Sequence, residues 1–116
     1  MAATEYLLAQ FSGDTKKLVK VFEADDTTTH TAGSVYNFTE DISDYKILII
    51  NFDDGVNPTV FADYFAVEDC LGVNFRPFLD YRYSSIKRHS VLTISPTFVT
   101  VDENQSVRVR SMYVLK

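Results

Sequence analysis

The run Ile47-Leu48-Ile49-Ile50, inside the segment Tyr45 to Phe52, carries no polar residue on either of its alternating faces. Successive side chains of an extended strand point to opposite sides, so both faces of this one are apolar and both need cover. That cover has to come from a second sheet or from a partner subunit. The run is also far shorter than the roughly 20 residues a helix needs to cross a bilayer, so it reads as the central strand of a soluble β fold with no membrane insertion.

Short segments rich in Val, Ile, Phe, Tyr and Thr, separated by Gly, Pro, Asn, Asp and Ser, recur along the whole chain. Lys17 to Ala24 follows the Ser12-Gly13-Asp14 turn, and Ser34 to Phe38 comes next; these two are expected to pair as neighbours. Asp53-Asp54-Gly55 and Asn57-Pro58 mark turns after the central strand. Val91 to Ile94 and Phe98 to Val101 flank Ser95-Pro96-Thr97, and Asp102 to Ser106 reads as a polar hairpin loop. Val107-Arg108-Val109-Arg110 alternates, with Ser111, Tyr113 and Leu115 continuing the valine face. Between Pro58 and Leu71 two patterns compete. One is a strand; the other is a helix with Val60, Phe61, Tyr64, Phe65 and Leu71 along one side, Asn57 as cap, Pro58 first and Gly72 as terminator.

With 116 residues, 46% of them hydrophobic and 14% aromatic, the chain has the material for one core. The expectation is a single all-β domain over residues 1–116, an antiparallel β-sandwich of jelly-roll-like kind. It leaves room for one short helix around residues 59–70, and residues 1–12 form an arm or edge strand. The formal charge of -5 argues against a nucleic-acid partner, because a phosphate backbone is held by clustered Lys and Arg. Cys70 is the single cysteine, which rules out an internal disulfide and suits a chain made in a reducing cytoplasm. No secretory signal is visible at the N-terminus.

Chemistry-bearing patterns are sparse. His30, in a Thr-rich loop, and His89, after Lys87-Arg88, stand apart from any second ligand at metal spacing and read as solvated surface. Cys70 follows Glu68-Asp69, whose charges disfavour a thiolate, so it reads as a small buried hydrophobe. The pairs Asp25-Asp26 and Asp53-Asp54 read as turn residues, one carboxylate of each capping the turn and the other solvated. A loop calcium site from Asp53, Asp54 and Asn57 lacks the spacing of an EF-hand. The expectation is therefore no catalytic residue, no metal and no cofactor. The surface feature that points to a ligand is Asn74 to Tyr83, where rings alternate with Arg and Asp. From it Arg76, Asp80, Tyr81, Arg82 and Tyr83 are the candidate binding residues, with burial of Phe78 in an ordinary strand as the competing reading.

Lys17 to Ala24, Gly33 to Phe38, and then Thr39-Glu40-Asp41-Ile42-Ser43-Asp44-Tyr45 leading into Ile47 to Ile50 together resemble the small β domains of tailed-bacteriophage tail-fibre, baseplate and other virion appendage proteins. Ser90 to Phe98 and the Arg-containing last strand follow the same outline, so the resemblance spans roughly residues 17 to 116. The end Ser111-Met112-Tyr113-Val114-Leu115 departs from the Tyr-Gly usual there. The resemblance implies a virion protein that forms homotrimers and either binds a host-surface saccharide or joins parts of the particle. A capsid decoration or head-fibre protein is a second reading, favoured if Met1 opens a whole gene product. A small glycan-processing enzyme using Asp and Tyr side chains is a third, and the missing acid–base motif speaks against it.

Overall fold

The computed structural model of the chain describes residues 18–53, 61–83 and 86–116, the side chains of residue 61 and of residues 75–88 excepted. The described residues form eight strands and one turn of helix: β1 Leu18–Glu23, β2 Val35–Asn37, β3 Ile47–Asp53, β4 Phe61–Ala66, α1 Val67–Cys70, β5 Asn74–Tyr83, β6 Ile86–Ile94, β7 Phe98–Gln105 and β8 Arg108–Leu115. They pair as two antiparallel four-stranded sheets, in the orders β1-β8-β3-β4 and β2-β7-β6-β5. An eight-stranded jelly roll runs 1-8-3-6 and 2-7-4-5, so this chain keeps six of the eight places in that order while β4 and β6 exchange sheets. The exchange follows from two local hairpins, β3–β4 and β6–β7, each made by strands adjacent in sequence.

One apolar cluster fills the space between the sheets. Val21, Leu48, Ile50, Phe52, Val109, Met112 and Val114 come from the first sheet, and Tyr36, Leu92, Ile94, Val99 and Val101 meet them from the second. β3 is central as expected, and its two faces are covered differently. Leu48 and Ile50 belong to the shared core, whereas Ile49 points the other way and is still fully buried, flanked in register by Tyr64 on β4 and Tyr113 on β8. A single copy of the chain therefore covers both faces, and no partner subunit is needed for β3.

Several local expectations change. β1 and β2 are not neighbours: β1 pairs with β8 and β2 with β7, so the connection between them crosses from one sheet to the other. The stretch 102–105 is not a hairpin loop but the end of β7, pairing with β6 as far as His89↔Gln105. The chain then crosses back through Ser106, whose φ of 58° lies in the left-handed region, and the Asn104 side-chain amide donates to the Val107 carbonyl at 3.0 Å. In the contested segment the strand pattern holds for Phe61–Ala66 and the helical one for Val67–Cys70 alone. β4 is extended because it completes the ladder from Ile47↔Ala66 to Phe52↔Phe61, a tertiary demand that overrides helical spacing. Gly72 stops the helix as expected, at φ 75°. Asn57, Pro58 and the proposed arm over residues 1–12 lie outside the described residues.

The valine face of β8 also changes. Val107 and Val109 face the core, but Met112 and Val114 follow them there, while Ser111, Tyr113 and Leu115 occupy the opposite side. The ladder with β3 slips by one residue between Asn51 and Phe52, since Asn51 faces Ser111 and Phe52 faces Val109. Arg110 is the extra residue of a β-bulge, and one inserted residue exchanges the two faces of everything beyond it.

Candidate functional site

That bulge gives rise to the best-organised polar site among the described residues. Counted back from the core-facing Met112 and Val114, regular alternation would turn Arg110 and Arg108 inward; the inserted residue instead keeps both on the outer side, over the end of β3, where they converge on Asp53. Arg108 donates Nε to Asp53 Oδ1 at 2.8 Å and Nη2 to Oδ2 at 3.2 Å, and Arg110 donates Nη1 to Oδ2 at 2.9 Å. The Asp53 side chain is 5% exposed, against 49% and 54% for the two arginines, so a sealed carboxylate anchors two half-exposed guanidiniums. Planar guanidinium geometry suits such paired contacts. In the calcium idea Asp53 was a ligand; here cationic side chains already occupy its oxygens, and Asp54 and Asn57 fall outside the described residues.

The connection between β1 and β2 forms the facing wall. Asp25 Oδ1 accepts the Thr27 backbone N–H at 2.8 Å and the hydroxyls of Thr27 and Thr28, an Asx turn that leaves Asp26 exposed, as the paired-carboxylate reading expected. The Thr27 hydroxyl and then its backbone N–H hold the Asp25 carboxyl below its ordinary range. His30 departs from its expected solvated role: it is half-buried, and its Nδ1 lies 3.0 Å from the Tyr36 hydroxyl. Tyr36 donates that hydroxyl to the Thr29 carbonyl at 2.9 Å, so it accepts from His30 and fixes the ring proton on Nδ1, leaving Nε2 as an acceptor. Burial, and next the nearby Arg108 charge, hold the His30 pKa below its ordinary value, with Asp53 opposing. Burial likewise pushes the Tyr36 phenol up to about 12. Behind this pair the Tyr36 ring stacks on Phe22 at a centroid distance of 4.7 Å.

Between the two walls lies a half-open pocket of about 170 Å³, lined by Ala24, Asp25, Asp26, His30, Arg108, Val109 and Arg110. A second, larger hollow of about 540 Å³ sits at the other end of β3, framed by the turn at Ser43 to Lys46 together with Ile47, Ala66 and Glu68. Its charged lining residues are all exposed, with no buried ionic anchor among them.

The candidate binding residues Arg76, Asp80, Tyr81, Arg82 and Tyr83 all fall on β5 and share no element with the pocket. Their side chains lie outside the described residues; their backbone pairs Tyr81 with Arg88, Arg82 with Lys87 and Tyr83 with Ile86. His89, expected on the surface, is buried, because β6 starts at Ile86 and carries it into the sheet. Its Nε2 lies 2.7 Å from Glu103 Oε1 across the β6–β7 ladder. Cys70 is buried as expected, and burial raises its thiol to about 11, far from a reactive thiolate. Among the described residues, no group of three or more His, Cys, Asp and Glu side chains is arranged to hold a metal ion, and no helix is long and apolar enough to cross a membrane. Comparison of the chain with protein-family models and with curated proteins gives no match.

The sequence reading misses the pocket because its parts are distant: residues 24–30, 53 and 108–110 meet only through the sheet order and the bulge. One local signal is present: Arg108 and Arg110, two residues apart, share a face of the strand, so that a single acid can meet both.

Proposed function

We propose that this chain is a virion module of the tailed-bacteriophage appendage kind, of tail-fibre or baseplate type, which works by assembling with itself as a homotrimer and with other virion proteins and by binding the host surface. The observation that carries this reading is the β5–β6 hairpin. β6 pairs with β5 from Ile86 onward but with β7 only from His89, so Tyr81–Tyr83 and Ile86–Arg88 extend past the sheet as a two-stranded ribbon. An isolated ribbon of two strands is marginal in water and gains its stability by packing against something else.

Charge supports a second copy as that partner. Residues 74–89 hold Arg76, Arg82, Lys87 and Arg88 against Asp80, a net of +3, and the whole chain carries -5, so the remainder carries -8. A basic ribbon on an otherwise acidic chain is complementary to its own copies. The phage assignment itself rests on the resemblance carried by residues 17 to 116. Light scattering coupled to size exclusion tests the reading: the expected solution mass is three times the 13.2 kDa of one chain. A monomer at every salt concentration that also fails to adsorb to particles or cells removes it, whereas a monomer that adsorbs to phage heads places it among capsid decoration proteins.

A further inference from the structure

We propose that the pocket between the β1–β2 connection and β8 is a binding site for a neutral, polyhydroxylated group, one saccharide ring at a time. The inference rests on the binding-module reading and assigns it a site and a ligand class. It arises from the way charge is distributed around the pocket. Arg108 and Arg110 line one side, Asp25 and Asp26 the other, and Asp53 lies beneath the arginines. A free anion entering here meets two carboxylates, and a cation meets two guanidiniums. A hydroxyl group both donates and accepts, so neighbouring hydroxyls on a ring can use the two walls together.

The groups are also oriented before any ligand arrives. Asp53 fixes both guanidiniums, the Tyr36 hydroxyl fixes the His30 ring with Nε2 as acceptor, and the Thr27 contacts fix Asp25. Groups already held in place lose little conformational freedom on binding, so more of their interaction energy appears as affinity. Size narrows the ligand further. At about 170 Å³ the pocket is smaller than the roughly 300–1,000 Å³ of sites that enclose drug-sized ligands, so it takes a terminal unit and leaves the rest of a chain outside. The lining holds no Phe, Tyr or Trp on which a sugar face could stack, so affinity at one pocket is weak. Three linked copies would raise the overall affinity of a repeating polysaccharide by roughly 10²–10⁴-fold, which is how a weak site serves an assembled module.

Titration of the isotopically labelled full chain by NMR tests this, using the methyl glycosides of glucose, galactose, mannose and N-acetylglucosamine, with glucuronate and inorganic phosphate as charged comparisons. The expected result is that at least one neutral glycoside shifts the Asp26, His30 and Arg110 signals saturably. Asp26→Asn and Arg110→Gln should each weaken that binding by roughly tenfold, the loss of one hydrogen bond to a charged group, with the unfolding midpoint of Asp26→Asn unchanged. Tighter binding of glucuronate or phosphate than of every neutral glycoside overturns the proposal. So does the absence of any shift at tens of millimolar sugar, a level that would detect even a weak single-site affinity, and so does binding that both variants leave intact. If the chain still forms a trimer and adsorbs to cells while the pocket stays silent, the site is wrong and the module reading stands.

Discussion

Asp53 is nearly sealed from water while the two guanidiniums on it are half exposed, and that imbalance decides which partner is costlier to lose. Replacing Asp53 with Asn leaves arginines that can turn to water, at a cost of about 1–3 kcal/mol in lost charge-assisted hydrogen bonds. Replacing Arg108 and Arg110 together with Gln leaves the carboxylate in the protein without these two cations, and breaking a buried pair in that direction costs about 3–5 kcal/mol. Urea denaturation of both variants checks the order; an Asp53→Asn protein as unstable as the double variant would show that the arginines depend on the acid and not the reverse. His30 sets a pH window at the same place. Its folded-state pKa lies below the ordinary 6.5, so folding favours its neutral form. The associated stability is fully present above about pH 6.5 and is lost as pH falls toward the depressed value. Asp25 and Asp41 also have lowered pKa values, from ordinary values of 3.8, so what they contribute is lost only in stronger acid. Melting temperatures measured from pH 7.5 to 5 should fall less steeply for His30→Gln than for the parent, and parallel curves would mean that the His30 environment does not oppose its charging.

At the scale of elements, the β8 bulge is a single inserted residue, and that makes deletions informative. Removing Arg110 restores a one-to-one ladder in which Asn51 still faces Ser111 and Phe52 still faces Val109. Such a deletion should keep the fold and lose about 1–2 kcal/mol, for one guanidinium contact and the Ala24 N–H bond to the Arg110 carbonyl. Deleting Met112 also uses up the inserted residue, since Val109 still faces Phe52, but it puts Ser111 in the core place of Met112 and Arg110 opposite Asn51, so the fold loses a buried methionine at about 2–5 kcal/mol. Equal stability of the two deletion variants would contradict this register. A smaller test concerns Gly72, where an added Cβ meets nothing within 4 Å, so the cost of Gly72→Ala, about 1 kcal/mol, comes from its φ of 75° alone. These same features mark what the sequence could disclose. The extended segments, the central place of β3 and the Gly72 stop follow from alternation and turn chemistry, which are local. The face exchange in β8, the burial of His89 and the convergence of residues 24–30, 53 and 108–110 depend on one slipped pair and on the sheet order, and nothing in the spacing of Val107 to Arg110 distinguishes a bulged ladder from a regular one.

For the molecule as a whole, the separation of +3 on residues 74–89 from -8 on the remainder sets how copies of the chain should meet. Contacts between exposed charges weaken as the screening length shrinks, from about 10 Å at 0.1 M salt to about 3 Å at 1 M, while apolar contacts do not weaken in that way. If the ribbon docks on the acidic surface of a neighbour, self-association should be strongest in low salt and decline steadily toward 1 M. Lys87→Glu with Arg88→Glu changes the charge of the ribbon by four units, to a net of -1, and should abolish any association that the parent shows at the same salt concentration. The cluster of Asp53, Arg108 and Arg110 lies on other elements and should be unaffected, so the unfolding midpoint of the variant should match that of a monomeric parent. Light scattering across a salt series reads both effects. Association that persists in 1 M salt and survives the charge reversal would mean that copies join through an apolar face, such as the one around Tyr64 and Tyr113 on the outer side of β3. The ribbon would then be left for a partner other than a second copy, and its basic charge would point to an acidic one.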